Sequence, residues 1–254
     1  MSPAKKCFKD WVNRQLRRTG YQLVNMKAQP FQPTLPSALH RLAARHPQFR
    51  TVIDVGASDG HWSRQLAAAL PGPKNFVMIE AQTLHRDGLA RFQADFAHTR
   101  TVLAAAGSQP GEIYFEANDP WGGVAAEQPG NQDGNWIRVP MTTIDQEVAA
   151  SGFPGPYLIK LDTHGYEVPI LDGAKQTLAQ TEVLVIECYN FNIAASARRF
   201  PAFCLHLEEL GFRCIDLFDP FYRPSDGTLW QMDLVFMRGD RPEFKPAASF
   251  PPTV

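Results

Sequence analysis

The sequence predicts an α/β fold with a doubly wound, mostly parallel sheet that ends in an antiparallel hairpin. Segments typical of strands alternate with segments typical of helices along most of the chain, which is the pattern of open parallel sheets. The strand segments are continuous apolar runs, as expected when helices cover both faces of a sheet. The last two strand segments have no helix between them, so we expect them to pair as a hairpin.

The predicted strands are short runs rich in Val, Ile, Leu and aromatic residues, with turn residues at their ends. They span residues 51–56, 75–80, 101–106, 112–117, 156–162, 182–189, 212–218 and 231–238. Several of the segments between them place apolar residues at a helical period. These predicted helices span residues 61–70, 84–94, 166–179 and 196–210.

One long polar stretch, residues 118–135, is predicted to be loop because it is rich in Gly, Asn and Pro. Two large aromatic side chains, Trp121 and Trp136, lie in or next to it. Flexible glycines beside large aromatics are typical of a lid that closes over a substrate. An ordinary surface loop is the alternative interpretation.

Both ends of the chain differ in composition from the middle, which predicts three regions. Residues 1–30 are an N-terminal amphipathic helix and linker, 31–239 the main domain, and 240–254 a Pro-rich, irregular tail. The helix is predicted over residues 4–18, with Phe8, Trp11, Val12 and Leu16 on one face and lysines and arginines around it. It either packs on its own domain or contacts a membrane surface or a partner.

Composition excludes several classes of protein. The 254 residues carry a net charge of -1, which argues against a general nucleic-acid binder. Four cysteines without CxxC spacing indicate a reducing compartment. Since no apolar run approaches the ~20 residues of a membrane span and the N-terminus has no apolar signal-peptide core, we expect no integral membrane segment and a cytoplasmic location. The oligomeric state is not predicted.

A ligand crevice is expected where the first strand, TVIDVG, ends in the turn Ala57–Gly60 and a helix follows. In open α/β sheets the ligand lies outside the carboxyl ends of the strands. The residues predicted to bind a cofactor there come from the first strand and its turn, from the end of the second strand, and from the end of the third. They are Asp54, Gly56, Ser58, Asp59, Gly60, Glu80, Ala81 and Ala105.

The residues of this crevice favour a ligand with a ribose and an amine but no phosphate. The turn lacks the GxGxxG spacing of a pyrophosphate site, and the acids Asp54 and Asp59 would repel phosphate charges. Glu80 lies 24 residues beyond Gly56, at the end of the second strand, where an acid can accept both ribose hydroxyls. S-adenosylmethionine fits this description. An NAD-dependent oxidoreductase is an alternative that the missing GxGxxG disfavours.

Each acidic candidate also has a purely structural interpretation. Asp54 lies inside a strand and could be a buried acid satisfied by backbone amides. Asp59 could stabilise the N-terminus of the helix that follows it. Glu80 could cap the next helix.

A second stretch, LIKLDTHGYEVPILDGA (158–174), resembles the hallmark of the FkbM family of S-adenosylmethionine-dependent methyltransferases. TVIDVGASDG resembles the cofactor loop of that family, and QMDLVFMR (231–238) resembles its closing strand. The resemblance implies a seven-strand, Rossmann-like methyltransferase fold and O-methylation of a hydroxyl. It implies small-molecule or glycan acceptors, such as sugars or secondary metabolites. The family usually has Glu or Gln before the hallmark glycine, where this sequence has His164.

Three candidate catalytic residues, Asp162, His164 and Glu187, lie at the ends of two neighbouring predicted strands. An alcohol loses its proton as it attacks a methyl group, so a base or a metal ion assists. His164 is the predicted base, although it could instead only order its turn. Asp162 and Glu187, with His164 or Asn190, could hold a divalent ion such as Mg²⁺. A cofactor-binding partner without catalytic activity is the remaining alternative.

Overall fold

The computed structural model describes residues 32–72, 74–130 and 134–245, together with Val12. The chain divides into two units, Met1–Gln32 and Pro33–Val254. Apart from Val12, the predicted N-terminal helix lies outside the described residues, as do residues 246–254 of the predicted tail. Before that point the tail forms one short 3-10 helix, Pro242–Phe244.

The larger unit alternates strands and helices in the order expected of an α/β fold. Its strands, in chain order, are β1 (Thr51–Val55), β2 (Asn75–Glu80), β3 (Thr99–Leu103), β4 (Ala105–Ala106), β5 (Gly111–Glu116), β6 (Val124–Ala126), β7 (Trp136–Thr142), β8 (Tyr157–Leu161), β9 (Thr181–Tyr189), β10 (Phe212–Tyr222) and β11 (Leu229–Arg238). Its α-helices are α1 (Leu35–Ala44), α2 (His61–Ala69), α3 (Arg86–Asp95), α4 (Ile144–Ser151), α5 (Glu167–Asp172), α6 (Lys175–Leu178) and α7 (Phe200–Glu209).

Seven of these strands form one mixed sheet in the order β10-β11-β9-β8-β1-β2-β3. The pairs from β9 to β3 are all parallel, whereas β11 runs antiparallel to both β9 and β10. The doubly wound, mostly parallel seven-strand sheet and its antiparallel terminal hairpin are therefore confirmed. β1 lies between β8 and β2, so its carboxyl end is at the centre of the sheet.

Two apolar clusters cover the two faces of this sheet. On one face, Val52 of β1 belongs to a buried cluster with residues of α1, α2 and α3, including Leu39, Leu66 and Phe92. On the other face, Ile53 and Val55 belong to a cluster with residues of α4, α5, α6 and α7. β1, β2, β8 and β9 are buried on both faces, so their sequences show apolar runs. The edge strand β3 is only half-buried along most of its length. None of the described helices is long and apolar enough to cross a lipid bilayer.

A second sheet, in the order β4-β7-β5-β6, corrects three sequence predictions. The predicted strand 101–106 is split, since β3 ends at Leu103 and β4 pairs with β7 instead. The predicted loop 118–135 contains β6, and the unpredicted strand β7 follows it. Pro140 lies inside β7 although a proline cannot donate to a ladder. It is tolerated because β4 pairs only with Met141 and Thr142, which leaves one edge of Pro140 open.

The helices differ from the prediction at three places. Neither α1 nor α4 was predicted. α4 begins after Thr143, whose side chain accepts a hydrogen bond from the Gln146 amide at 3.1 Å. The predicted helix 166–179 is divided into α5 and α6 around Gly173. A Cβ atom at Gly173 would lie 2.1 Å from the carbonyl oxygen of Gly107. This close approach of two backbones fixes the break between the helices.

Candidate active site

One cavity lies at the carboxyl ends of β1, β2 and β8, as the rule for open α/β sheets requires. Its floor is formed by the turn after β1, the end of β2, the segment Ala104–Ala106 and the turn after β8. The second sheet and the loop before β6 provide the opposite wall, through Phe115, Trp121, Gly123 and Ala125. The second sheet, which the sequence did not predict as such, therefore helps to enclose the site.

The glycine turn after β1 is held in shape by Glu80. Gly56 adopts a φ of 71°, and a Cβ atom there would lie 2.1 Å from the carbonyl oxygen of Asp162, so the position requires glycine. The Ser58 amide donates to Oε2 of Glu80 at 2.8 Å, and the Gln82 amide donates to Oε1 at 2.7 Å. Each carboxylate oxygen keeps acceptor capacity for a ligand hydroxyl. Glu80 is thus both the anchor of the turn and a polar group of the cavity wall.

The predicted cofactor residues fall into two groups. Gly56, Ser58, Glu80, Ala81 and Ala105 line the cavity. Asp54, Asp59 and Gly60 do not reach it.

Asp54 is fully buried behind the turn. It accepts a hydrogen bond from Ser63 Oγ at 2.6 Å and lies 3.2 Å from the ammonium nitrogen of Lys160. Burial raises the pKa of Asp54, although Lys160 and Ser63 act against that rise. Its partners are side chains rather than the backbone amides that the structural alternative named.

Asp59 and Gly60 shape the start of α2. Oδ1 of Asp59 accepts a hydrogen bond from the His61 amide at 3.0 Å. Gly60 precedes the first residue of α2 with a φ of 82°, and a Cβ atom there would lie 2.5 Å from the ring of Phe92. The geometry of both residues agrees with the structural interpretation of Asp59, which places it at the helix N-terminus.

The three candidate catalytic residues meet at one point beside the cavity. Nε2 of His164 lies 3.5 Å from Oδ1 of Asp162 and 3.5 Å from Oε2 of Glu187. Asp162 and His164 line the cavity, and Glu187 lies beyond the imidazole. Tyr189 and Gln231 each donate a hydrogen bond to the Glu187 carboxylate. Neighbouring parallel strands, β8 and β9, therefore bring this cluster together.

The cluster holds more carboxylates than the nearby cation can neutralise. Burial, together with Asp162, raises the pKa of Glu187 to about 7, while His164 acts to lower it. Asp233 faces Glu187 across the β9–β11 pair, and burial together with Glu187 raises its pKa to about 8. Burial would raise the pKa of Asp162 as well, but Lys160 and His164 bring it below its ordinary value. Two carboxyl groups of the cluster, Glu187 and Asp233, therefore have pKa values raised toward neutral pH.

Asn190 does not join this cluster. Its backbone amide donates to the Trp230 carbonyl at 2.9 Å, and its side-chain amide donates to the Leu229 carbonyl at 3.2 Å. The metal-ligand set that the sequence suggested is thus reduced to Asp162, His164 and Glu187, whose ligand atoms lie within 4.8 Å of one another.

Lys160 was not predicted as a site residue, although it lies between the two acids of the site. Its side chain is buried, and its ammonium nitrogen lies 3.3 Å from Oδ2 of Asp162 and 3.2 Å from Oδ1 of Asp54. A lysine inside the apolar run PYLIKLD is a signal that could have identified it, because an unpaired lysine is almost never fully buried.

The loop before β6 is attached to the cofactor side of the cavity by two side chains. The side-chain Nε2 of Gln82 donates to the carbonyl oxygens of Asp119 and Pro120 at 3.0 and 3.1 Å. The His85 Nε2 atom lies 2.8 Å from the Pro120 carbonyl oxygen. Trp121 follows, with its ring centre 5.2 Å from that of His85, and it is 66% exposed at the rim. No local sequence signal indicated these contacts, which join residues more than 30 positions apart.

The methyltransferase FkbM domain family matches residues 54–214 of the chain. No curated protein matches it in sequence.

Among solved structures, methyltransferase FkbM from Methylobacillus flagellatus KT is 15% identical, with a TM-score of 0.51. That match covers 80% of this chain and 48% of the other, so the chain spans about half the length of that protein. The O-methyltransferase TomG from Streptomyces achromogenes, solved with S-adenosylmethionine and involved in tomaymycin synthesis, is 14% identical, with 85% and 82% coverage and a TM-score of 0.45. Sp1610 from Streptococcus pneumoniae, a putative tRNA (m1A22) methyltransferase, is 13% identical, with 83% and 72% coverage and a TM-score of 0.45. At 15% identity, the match to methyltransferase FkbM shows a similar fold and no more.

Proposed function

This chain belongs to the FkbM methyltransferase family, and we propose that it transfers a methyl group from S-adenosylmethionine to a hydroxyl group of a sugar, glycan or secondary metabolite. One observation carries the proposal. A single cavity is lined both by the acid-anchored glycine turn, through Gly56 and Glu80, and by the imidazole and carboxylate of His164 and Asp162. The proposed ribose-binding residue and the proposed proton acceptor therefore line the same cavity.

Glu80 is the residue proposed to bind the ribose. Its two carboxylate oxygens are fixed by backbone amides on either side, so the side chain is pre-organised to accept ligand hydroxyls. Gly56 and Ser58 present backbone without bulky side chains next to it. Ala81 and Ala105 add small apolar walls that leave room for a flat ring.

S-adenosylmethionine supplies a methyl group on a positively charged sulfur, which is reactive toward an oxygen nucleophile. The chain needs to hold the acceptor oxygen in line with that group and to accept its proton. His164 is proposed as the base, through Nε2. Asp162 and Glu187 flank that atom and stabilise the imidazolium that forms. Alignment of the reactants supplies much of the remaining rate enhancement.

A magnesium ion does not fit the cluster of Asp162, His164 and Glu187. Mg²⁺ takes oxygen ligands in near-ideal octahedral geometry, whereas one of the three donors is an imidazole nitrogen. The Lys160 ammonium already neutralises Asp162 from a distance of 3.3 Å, and the Glu187 carboxylate already accepts two hydrogen bonds. The proposed mechanism therefore uses base catalysis and assigns no step to Mg²⁺.

We keep a small molecule or glycan, rather than nucleic acid, as the proposed acceptor. The net charge of -1 offers no general attraction for a phosphate backbone. A cytoplasmic location likewise stays a prediction from the cysteine pattern.

Two measurements test the proposal. Calorimetry with S-adenosylhomocysteine and with NAD separates the two cofactor classes, and we expect binding of the first alone. Incubation with a radiolabelled methyl donor and fractionated glycans, metabolites and RNA then identifies the acceptor. Base-stable label in a hydroxyl-bearing fraction supports O-methylation. Cofactor binding without transfer to any fraction would favour the non-catalytic alternative, and label in RNA would overturn the proposed acceptor class.

A further inference from the structure

The ammonium group of Lys160 lies between the two turns that form the cavity. Its nitrogen donates to the carbonyl oxygen of Gly56 at 2.9 Å. On one side it lies 3.2 Å from Oδ1 of Asp54, and on the other 3.3 Å from Oδ2 of Asp162. The lysine is 4% exposed. One buried cation thus contacts the glycine turn after β1 and the carboxylate of the turn after β8.

A buried ammonium is stable only when it is paired and hydrogen-bonded. Burial by itself would lower the pKa of Lys160, but Asp162 and Asp54 raise it above its ordinary value, so the group stays charged. The other titratable groups on this side of the site are His164 and Glu167 after β8, Glu187 and Tyr189 on β9, and Asp233 on β11. The ion pairs of Lys160 are with Asp54 and Asp162.

The turn after β1 and the turn after β8 also contact each other next to this lysine. The Asp162 amide donates to the Val55 carbonyl at 3.1 Å. The close approach of Gly56 to the Asp162 carbonyl leaves no room for a side chain. A displacement of either turn would therefore move the other, and the Lys160 nitrogen bonds to both.

We propose that Lys160 is a positioning residue for methyl transfer, which acts through Gly56 and Asp162 to hold the cofactor turn and the acceptor turn in one fixed arrangement. The inference rests on the proposed function of the same cavity. Lys160 itself does not line the cavity. Its effect reaches a ligand through the carbonyl of Gly56 and through the charge and orientation of Asp162, which in turn faces His164.

A purely structural role would make Lys160 only the counter-ion of the buried Asp54. Asp54→Asn removes that buried acid while Ser63 can still donate to the asparagine oxygen, so this variant is the matched control. Asp54→Asn combined with Lys160→Met then removes the cation without leaving a fully buried, unpaired carboxylate. Asp162 remains in this double variant, and its side chain is 38% exposed, so water can solvate it.

The test compares the two variants by calorimetry with S-adenosylhomocysteine, well below their melting temperatures. If Lys160 positions the site, the double variant binds about tenfold or more weakly than Asp54→Asn alone, since a charge-assisted hydrogen bond to the turn is lost. Acidification should also weaken its binding of S-adenosylhomocysteine. This loss should begin at a higher pH than in Asp54→Asn, because the cation that keeps Asp162 ionised is missing. A structural role changes the melting temperature but neither of these readouts.

Two results would overturn parts of this account separately. Equal affinities and equal pH profiles in the two variants would exclude the positioning role and leave the proposed function intact. A wild-type protein that does not bind S-adenosylhomocysteine would overturn the proposed function, and with it any role of Lys160 in cofactor binding.

Discussion

The Nδ1 atom of His164 lies 3.1 Å from the carbonyl oxygen of Gly123, in the wall opposite the main sheet. A carbonyl oxygen only accepts hydrogen bonds, so this contact assigns the ring hydrogen to Nδ1. In the neutral ring Nε2 is then the basic nitrogen, and it is the atom that faces Asp162 and Glu187. The contact with Gly123 therefore orients His164 for proton transfer.

Replacing His164 tests its role as the base. We expect His164→Ala and His164→Gln to lower turnover by roughly 10²–10⁴, the usual contribution of general-base catalysis. Affinity for S-adenosylhomocysteine should change little, because the cofactor turn is held by Glu80 instead. Steady-state rates with the identified acceptor measure turnover, and calorimetry measures the affinity for S-adenosylhomocysteine.

The glutamine variant separates the base from a structural residue. Glutamine can still donate to the Gly123 carbonyl, and it is a usual residue of the family at this position, but it cannot take a proton. Full turnover by His164→Gln would show that His164 only shapes its turn. Glu187 would then be the next candidate for the base.

Glu187 makes the stability of the protein depend on pH. Its pKa of about 7 in the folded protein exceeds the ordinary value of 4.5, so the folded state holds a proton that the unfolded state releases. This stabilising contribution is complete below pH 4.5 and is lost as the pH rises through 7.

Urea unfolding at pH 5 and pH 8 measures this contribution. From pH 5 to pH 8 we expect the free energy of unfolding of the wild type to fall relative to that of Glu187→Gln, on the order of 2–3 kcal/mol. Asp233→Asn should change the pH dependence in the same direction, because the pKa of Asp233 is also raised. Parallel pH curves for wild type and Glu187→Gln would contradict the assignment.

The main sheet was predictable because its strands carry their own signal. β1, β2, β8 and β9 are buried on both faces, so each appears in the sequence as a continuous apolar run. The second sheet lacks that signal. β4 has two residues and β6 has three, and β7 is mostly exposed or half-buried and contains a proline. Such short strands form only because they pair with other strands, and a local sequence pattern does not show which strands those are.

The candidate site was predictable only where chain order determines position. Glu80 lies at the end of the strand next to β1, so the spacing alone indicated its place. Lys160 depends on the pairing of β1 with β8, residues about 100 positions apart in the chain, which puts it beside Asp54. Asp54 itself lies one position before the strand end and points away from the cavity. In a strand, neighbouring side chains point to opposite faces, and a motif does not reveal which face holds the ligand.

Replacing Glu80 tests the cofactor end of the cavity. Glu80→Ala should weaken binding of S-adenosylhomocysteine by about tenfold or more, since charge-assisted hydrogen bonds contribute roughly 1.5–3 kcal/mol. Asp59→Asn is the matched control, because Asp59 is an acid in the turn that Glu80 anchors but does not line the cavity. Calorimetry that finds a larger loss for Asp59→Asn than for Glu80→Ala would place the ribose elsewhere.

Chelation tests the mechanism without a metal. The Lys160 ammonium and the hydrogen bonds to Glu187 already serve the carboxylates of the cluster, so we expect dialysis against EDTA to leave turnover unchanged. Added Mg²⁺, Mn²⁺ or Zn²⁺ should not raise it. Loss of activity on chelation that one of these ions restores would show that Asp162, His164 and Glu187 hold a metal.

The loop that carries Trp121 gives a direct signal of ligand entry. The indole lines the cavity while most of its surface is exposed, so a ligand that enters should change its environment and its fluorescence. We expect S-adenosylhomocysteine to shift the emission of the wild type. Trp230→Phe is the control and should show the same shift, because the Trp230 indole packs against Phe191 and does not line the cavity. The shift should be absent in Trp121→Phe. Trp121→Ala should also weaken binding roughly two- to tenfold, the usual contribution of an aromatic contact. An emission shift that persists in Trp121→Phe would mean that this loop does not close over the cofactor.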